Sequence, residues 1–179
     1  MRVVIDNFHE RKVPGVAVLG RNNNLNARSP WGRHTHPGMM EILYLVKGGQ
    51  VVGASGVRHE LVGNELFVVH SDEVHSSGRH PVGKNLFFWL QLELSEPTRH
   101  FLDLPAEEAL ALTDKLIYLK RRFPGVSRMR PALDEVVALM QAPPSQLDTL
   151  RIRHHLLDFL LMTISCSEAA SETKHLSDD

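Results

Sequence analysis

The apolar residues of this chain change their period once, near Pro97, from two to about 3.6. That switch constrains the fold more than any other feature. An alternating half must bury one face of a sheet, whereas a 3.6-periodic half must bury one stripe of each helix. Before the switch, segments 13–19, 31–36, 41–47, 50–54, 57–62, 65–69, 75–77 and 86–94 read as short strands at roughly ten-residue spacing. Residues 1–12 read as a loose arm, 21–26 as a turn, and Gly48-Gly49 as a hairpin turn. Short strands with Gly-rich turns predict a β-sandwich or barrel.

After Pro97 three helices are expected. Asp103 can cap the first, with Pro105 in its opening turn. Leu112, Leu116, Leu119 and Phe123 then share a face until Pro124-Gly125. The second opens at Pro131, carries Leu133, Val136, Val137 and Met140, and stops at Pro143-Pro144. In the third, 146–165, Leu147, Leu150, His154, Leu157, Leu161 and Ile164 recur in steps of three and four, as a heptad seam does. Leu156 and Leu160 widen the stripe. A stripe that wide suits a homodimer interface better than packing on the helix's own barrel alone. His154 in the seam reads either as a polar register-setting residue or as a half-exposed one.

The chemistry gathers around His34-Thr-His36, followed by Glu41 and Gly48. Histidines one residue apart on a strand point the same way, and Glu41 opens the next strand, so the two segments can face one cavity. His75 supplies a fourth group. Three imidazoles and a carboxylate suit zinc, nickel, iron(II) or manganese. The same residues also read as hydrogen-bonding groups of a polar effector pocket, or as structural histidines. His70, at a turn, and His80 are additional candidates, with His70 read as a loop residue; His59 reads as exposed. On 86–94, Phe87, Trp89, Gln91 and Glu93 share one face, a mixture that suits a ligand cavity. The other face, with Leu86, Phe88, Leu90, Leu92 and Leu94, suits packing. Leu43 and Leu45 should point the same way as Glu41 and line that cavity, while Trp89 also reads as plain core.

The pattern His34-x-His36-x(4)-Glu41-x(6)-Gly48 resembles the first motif of the cupins, with Arg28 where that motif opens on glycine. Residues 64–75 resemble the second, with His75 at its histidine and Asn64, His70 and Asp72 at its Gly, Pro and Gly places. Followed by helices, this order resembles the N-terminal sensor domain of AraC-family transcription regulators. The resemblance implies a mainly β fold, a cupin-like double-stranded β-helix (jelly-roll) barrel followed by about three α-helices. It implies an effector-binding barrel with its arm over 1–98, a helical dimerisation region over 99–166, and a polar linker over 167–179 leading to a DNA-binding domain beyond Asp179. In that family a tryptophan corresponding to Trp89 lines the effector pocket. The expected ligand set is therefore Leu43, Leu45, Phe87, Trp89 and Gln91 for the effector, a sugar or other small metabolite, and His34, His36, Glu41 and His75 for a metal.

The resemblance implies a non-enzymatic sensor, and the bulk numbers are those of an ordinary globular domain. The 179 residues are one domain's worth, at 42% hydrophobic and 23% charged. A net charge of −1 lacks the basic excess of a DNA-binding domain, so DNA contact is expected only through the part beyond Asp179. A lone Cys166 forbids an internal disulfide and fits a reducing cytoplasm. No signal peptide or membrane-length apolar stretch is apparent. The rival reading is a stand-alone metal-dependent cupin enzyme of isomerase or dioxygenase type, supported by the four-ligand set. A third is a dimerising sensor that never binds DNA.

Overall fold

The computed structural model describes residues 1–78, 82–94 and 100–175, so Pro97, His80 and the last four residues lie outside the described residues. Strand β1 (Arg2–Ile5) pairs antiparallel with β2 (Val16–Asn24). Residues 1–12 are therefore not a loose arm: Phe8 and Val13 are fully buried and draw the connection onto the core. The turn expected at 21–26 is likewise overturned as far as Asn24. Arg21 to Asn24 carry poor strand formers, but β2 is paired on both sides, and pairing outweighs propensity.

Strand β3 (Met39–Ala54) is the spine of the fold. The hairpin expected at Gly48-Gly49 does not form. The strand runs through it, with a register slip between Leu45 and Lys47 and Gly48 at φ +91°. A β-carbon at Gly48 would stand 2.2 Å from the Lys84 carbonyl oxygen, so glycine is required by space as well as by conformation. β3 pairs with β5 (Glu65–Val69) as far as Leu45 and with β7 (Asn85–Glu93) as far as Gly48. Beyond Gly48, β3 pairs with β4 (Val57–Val62) and β6 (His75–Ser76). One strand thus serves two sheets, as a jelly roll requires. The hairpin turn is Ser55-Gly56, both at positive φ, which matches the twist of the flanking strands.

The main sheet runs β1-β2-β7-β3-β5-β8, with β8 at Arg122–Pro124. Its outer face carries Leu19, Ile42, Tyr44, Leu66, Val68, Phe88, Leu90 and Leu92 into the core shared with the helices. Its inner face carries Leu43, Leu45, Phe67, Val69, Phe87 and Trp89, packed with Val52, Ala54 and Leu61 of the second sheet. Segment 31–36 is not a strand. Pro30 and Pro37 bracket it and lack the N–H that a ladder needs, and only the isolated bridges Arg28↔Val82 and His34↔His75 form there.

Helix α1 (Ala106–Ile117) follows a 3-10 turn, Phe101–Asp103. Asp103 does not cap it; its carboxylate takes Arg153 at 2.6 Å instead. Leu119 and Phe123 lie beyond the helix end. Phe123 stays buried, but in β8 (Arg122–Pro124), which covers the otherwise open edge of β5. Helix α2 (Met129–Gln141) buries Leu133, Val136, Val137 and Met140, with Pro131 in its first turn. Ala142, held extended by the following Pro143, stops it.

Helix α3 (Asp148–His175) is ten residues longer at its C-terminal end than the 146–165 expected. Its Asp148 carboxylate accepts from both the N–H and the hydroxyl of Ser145, at 2.8 and 2.7 Å, and holds the entering turn. It buries Ile152, Leu156, Phe159, Leu160 and Thr163, a face one step round from the heptad seam. Leu147, Leu150 and Leu161 of the seam are 50–64% exposed. Among the described residues no helix is long and apolar enough to cross a membrane. The architecture is that of a cupin-like barrel followed by three α-helices.

Candidate metal and effector site

Two local devices aim the histidines inward. His36-Pro37-Gly38-Met39 is a tight turn with Gly38 at φ +68°, closed by the Met39 N–H on the His36 carbonyl at 3.1 Å. The Asp72 carboxylate accepts from the Gly38 N–H at 3.2 Å and ties this turn to the second motif. His34 and His75 exchange backbone hydrogen bonds at 3.0 Å in both directions, which leaves their rings 4.2 Å apart. Trp31 meets both rings edge-on, and Ser77 pins it by accepting from the Trp31 N–H at 2.8 Å.

One nitrogen of each of His34, His36 and His75 lies within 4.8 Å of the others. His75 Nδ1 faces the Glu73 carbonyl at 3.1 Å and His34 Nδ1 faces that of Gly32 at 2.9 Å. A carbonyl only accepts, so each Nδ1 carries the proton and each neutral ring keeps its Nε2 lone pair for another partner. His75 Nε2 is buried and makes no hydrogen bond. It stands 3.1 Å from Glu41 Oε2. An orphaned buried nitrogen among three imidazoles and a carboxylate fits a divalent metal.

Glu41 is outside the three-histidine cluster but touches two of its members, His36 Nε2 at 3.5 Å and His75 Nε2 at 3.1 Å. Gln91 Nε2 donates to Glu41 Oε1 at 3.0 Å and also lies 3.0 Å from His36 Nε2. Burial pushes the Glu41 carboxyl up, yet His36, His75 and Gln91 together outweigh it and hold the group at about 2. Burial pulls His75 down, while Glu41 and the Glu73 carbonyl pull it up, with a net rise. The site therefore holds an anionic carboxylate under a basic imidazole.

These groups open on a cavity of about 800 Å³. Leu43, Phe87, Trp89 and Gln91 line it together with His34, His36 and Glu41. Leu45 is buried in the same apolar cluster but does not line the cavity. Trp89 lies flat on β2, where a β-carbon at Gly20 would come within 1.9 Å of its ring. His70 is in a loop, whereas His59 is half-buried against the Phe67 ring. Sequence reading missed Arg2, Asn22, Asn24, Arg28 and Trp31 as lining residues. Extending the period-two pattern of β2 past Gly20 would have found Asn22 and Asn24.

Comparison with known proteins follows this geometry. Among solved structures, similar chains include a predicted oxalate decarboxylase from Thermotoga maritima, 19% identical with TM-score 0.43, covering 51% of this chain and 80% of its own. KdgF from Halomonas sp. is 19% identical with TM-score 0.39, covering 51% and 76%. A cupin protein from Bacteroides fragilis is 18% identical with TM-score 0.41, covering 52% and 76%. No curated protein sequence matches the chain. Residues 18–160 match the family described as the AraC-like ligand binding domain, a span that takes in the barrel, α1, α2 and the first half of α3. The chain belongs to the family of AraC-like ligand binding domains.

Proposed function

We propose that this domain senses a small-molecule effector for transcription control, with a divalent metal held by His34, His36, Glu41 and His75 as part of the binding site. The observation that carries the reading is the buried, unpartnered Nε2 of His75 among three converging imidazoles beside a cavity of about 800 Å³. Zinc, nickel, iron(II) or manganese suits that donor set, and such an ion supplies a positive centre for an oxygen atom of the effector. Phe87, Trp89 and Leu43 offer apolar walls, and Gln91 orients. Effector binding then biases the packing of β1 or of α3 between two arrangements. The exposed row Leu147, Leu150 and Leu161 is assigned to a homodimer interface, and DNA contact to a segment beyond Asp179.

The test has two parts. Elemental analysis of purified protein should find bound divalent metal that His75→Ala loses. The reading frame should continue past Asp179 into a basic helix-turn-helix segment, and a stop codon there would sink the regulator reading. A metal-dependent cupin enzyme is the second reading, favoured by the facing of His34 and His36 into the cavity. Turnover of a sugar or aromatic substrate by metal-loaded protein would select it.

A further inference from the structure

Far from the metal ligands, the cavity wall ends in a directed relay of side-chain amides. Gln50 Nε2 donates to the Val51 carbonyl at 2.8 Å, which leaves Gln50 Oε1 to accept from Asn85 Nδ2 at 2.9 Å. Asn85 Nδ2 also donates to the Gly49 carbonyl at 3.3 Å, and Asn85 Oδ1 accepts from Asn24 Nδ2 at 2.9 Å. Backbone carbonyls can only accept, so the direction of every amide in the chain is determined. The relay ends on Asn24 Oδ1, an acceptor on a 3% exposed residue, without a partner among the described residues. Asn22 Oδ1 beside it is buried and unpartnered too. Buried acceptors left open cost free energy unless something donates to them. Both residues line the cavity, so a ligand hydroxyl group is the natural donor.

The remaining polar lining carries the opposite demand. The Arg2 guanidinium lies 5.4 Å over the Trp89 ring, and Arg28 lines the same cavity. Neither forms an ion pair among the described residues. Trp31 Nε1, a buried donor, is unpartnered as well. Glu41 is the one acidic lining residue, and His36, His75 and Gln91 already engage it. Both arginines are exposed at the cavity wall, Arg2 stacked on Trp89, and neither has an anionic partner among the described residues. Guanidinium forks match carboxylate and phosphate equally. Many phosphate sites add a helix N-terminus to such groups, whereas every lining residue here comes from a strand or a loop.

Resting on the effector-binding reading above, we propose that the cavity takes a small hydroxy-carboxylate. Its carboxylate meets Arg2 and Arg28, and its hydroxyl groups donate to Asn24 and Asn22 and accept from Trp31. A neutral sugar would satisfy the asparagines but leave both guanidiniums unpaired.

The test is calorimetric titration of zinc-loaded protein with two matched pairs, D-gluconate against D-glucitol and D-glycerate against glycerol. At least one acid should bind about tenfold or more tighter than its neutral partner, the scale of a hydrogen bond to a charged group. Arg28→Gln, at an exposed position that leaves the core intact, should close most of that gap without shifting the thermal melt. Equal or tighter binding of the neutral compounds, no binding of either acid, or a gap that survives in Arg2→Gln/Arg28→Gln would overturn the proposal. Neutral binding alone would leave effector sensing standing and remove only the acidic class. Consumption of a bound acid, followed by NMR, would keep the class and overturn sensing in favour of catalysis.

Discussion

His75 answers two demands with one ring: its Nδ1–H is tied to the Glu73 carbonyl, and its Nε2 is left bare in a fully buried site. Replacing it with alanine should weaken metal binding by at least about 10–100-fold, the scale of losing even an outer-shell partner, as read by competition with a chromogenic chelator. Glu73 is itself held by Arg121, whose guanidinium also donates to the Val68 carbonyl at 2.7 Å. Burial raises the Glu73 carboxyl, but Arg121, Ser55 and the His70 N–H outweigh it and set it below the usual carboxylate range. A depressed value stabilises the fold above the unfolded-state value, and that stability is lost as pH falls through the folded one. Arg121→Met should therefore cost about 1–3 kcal/mol near neutral pH and flatten the acid limb of a stability profile followed by urea melts. The second motif becomes intelligible at this scale. Asn64 at φ +67° and Asp72 at φ +63° hold two places where cupins have glycine. Asn and Asp tolerate that left-handed region better than other side chains. With the backbone so turned, His75 bridges to His34.

Helix α3 shows what an apolar pattern leaves undecided. Two stripes run along it, Leu147/Leu150/Leu157/Leu161 and Ile152/Leu156/Phe159/Leu160/Thr163, and both are readable as a buried face. The second packs against α2 and β8. Of the first, Leu147, Leu150 and Leu161 stay at the surface, while Leu157 packs against the core and Ile164 of the same seam is buried. Leu150→Glu with Leu161→Glu should turn a dimer into a monomer in sedimentation equilibrium while leaving the helical circular dichroism unchanged, because neither residue touches the core. A protein that sediments as a monomer before mutation would end the homodimer assignment. β3 is the other instructive element. Glycines at 48 and 49 look like a turn, but the space beside the Lys84 carbonyl, rather than a reversal of the chain, is what requires Gly48.

At the scale of the molecule, the candidate metal set joins the 34–36 segment and the nearby start of β3 to the distant β6. An ion bound only by the folded form stabilises it by mass action, about 2.7 kcal/mol at a hundredfold excess over Kd. Chelator should accordingly lower the melting temperature by several degrees, and re-addition of zinc should restore it. An unchanged melt in protein shown to contain metal would mean that the ion does not link these segments. The sequence alone determined which residues of each strand look the same way, the four ligand candidates, the barrel-then-helices order and the extent of α2. Strand alternation and the helix stop follow from sterics and hydrogen bonding within a few residues, whereas His75 was singled out by its resemblance to the second cupin motif. Tertiary structure alone decided that β3 serves two sheets, that Arg121 and Phe123 leave the helix for the edge of β5, and that Arg2, Asn22 and Asn24 share one cavity with His34, His36 and Glu41. Those outcomes depend on which distant segment supplies the partner for an open edge or a buried amide, and local sterics do not choose among distant partners.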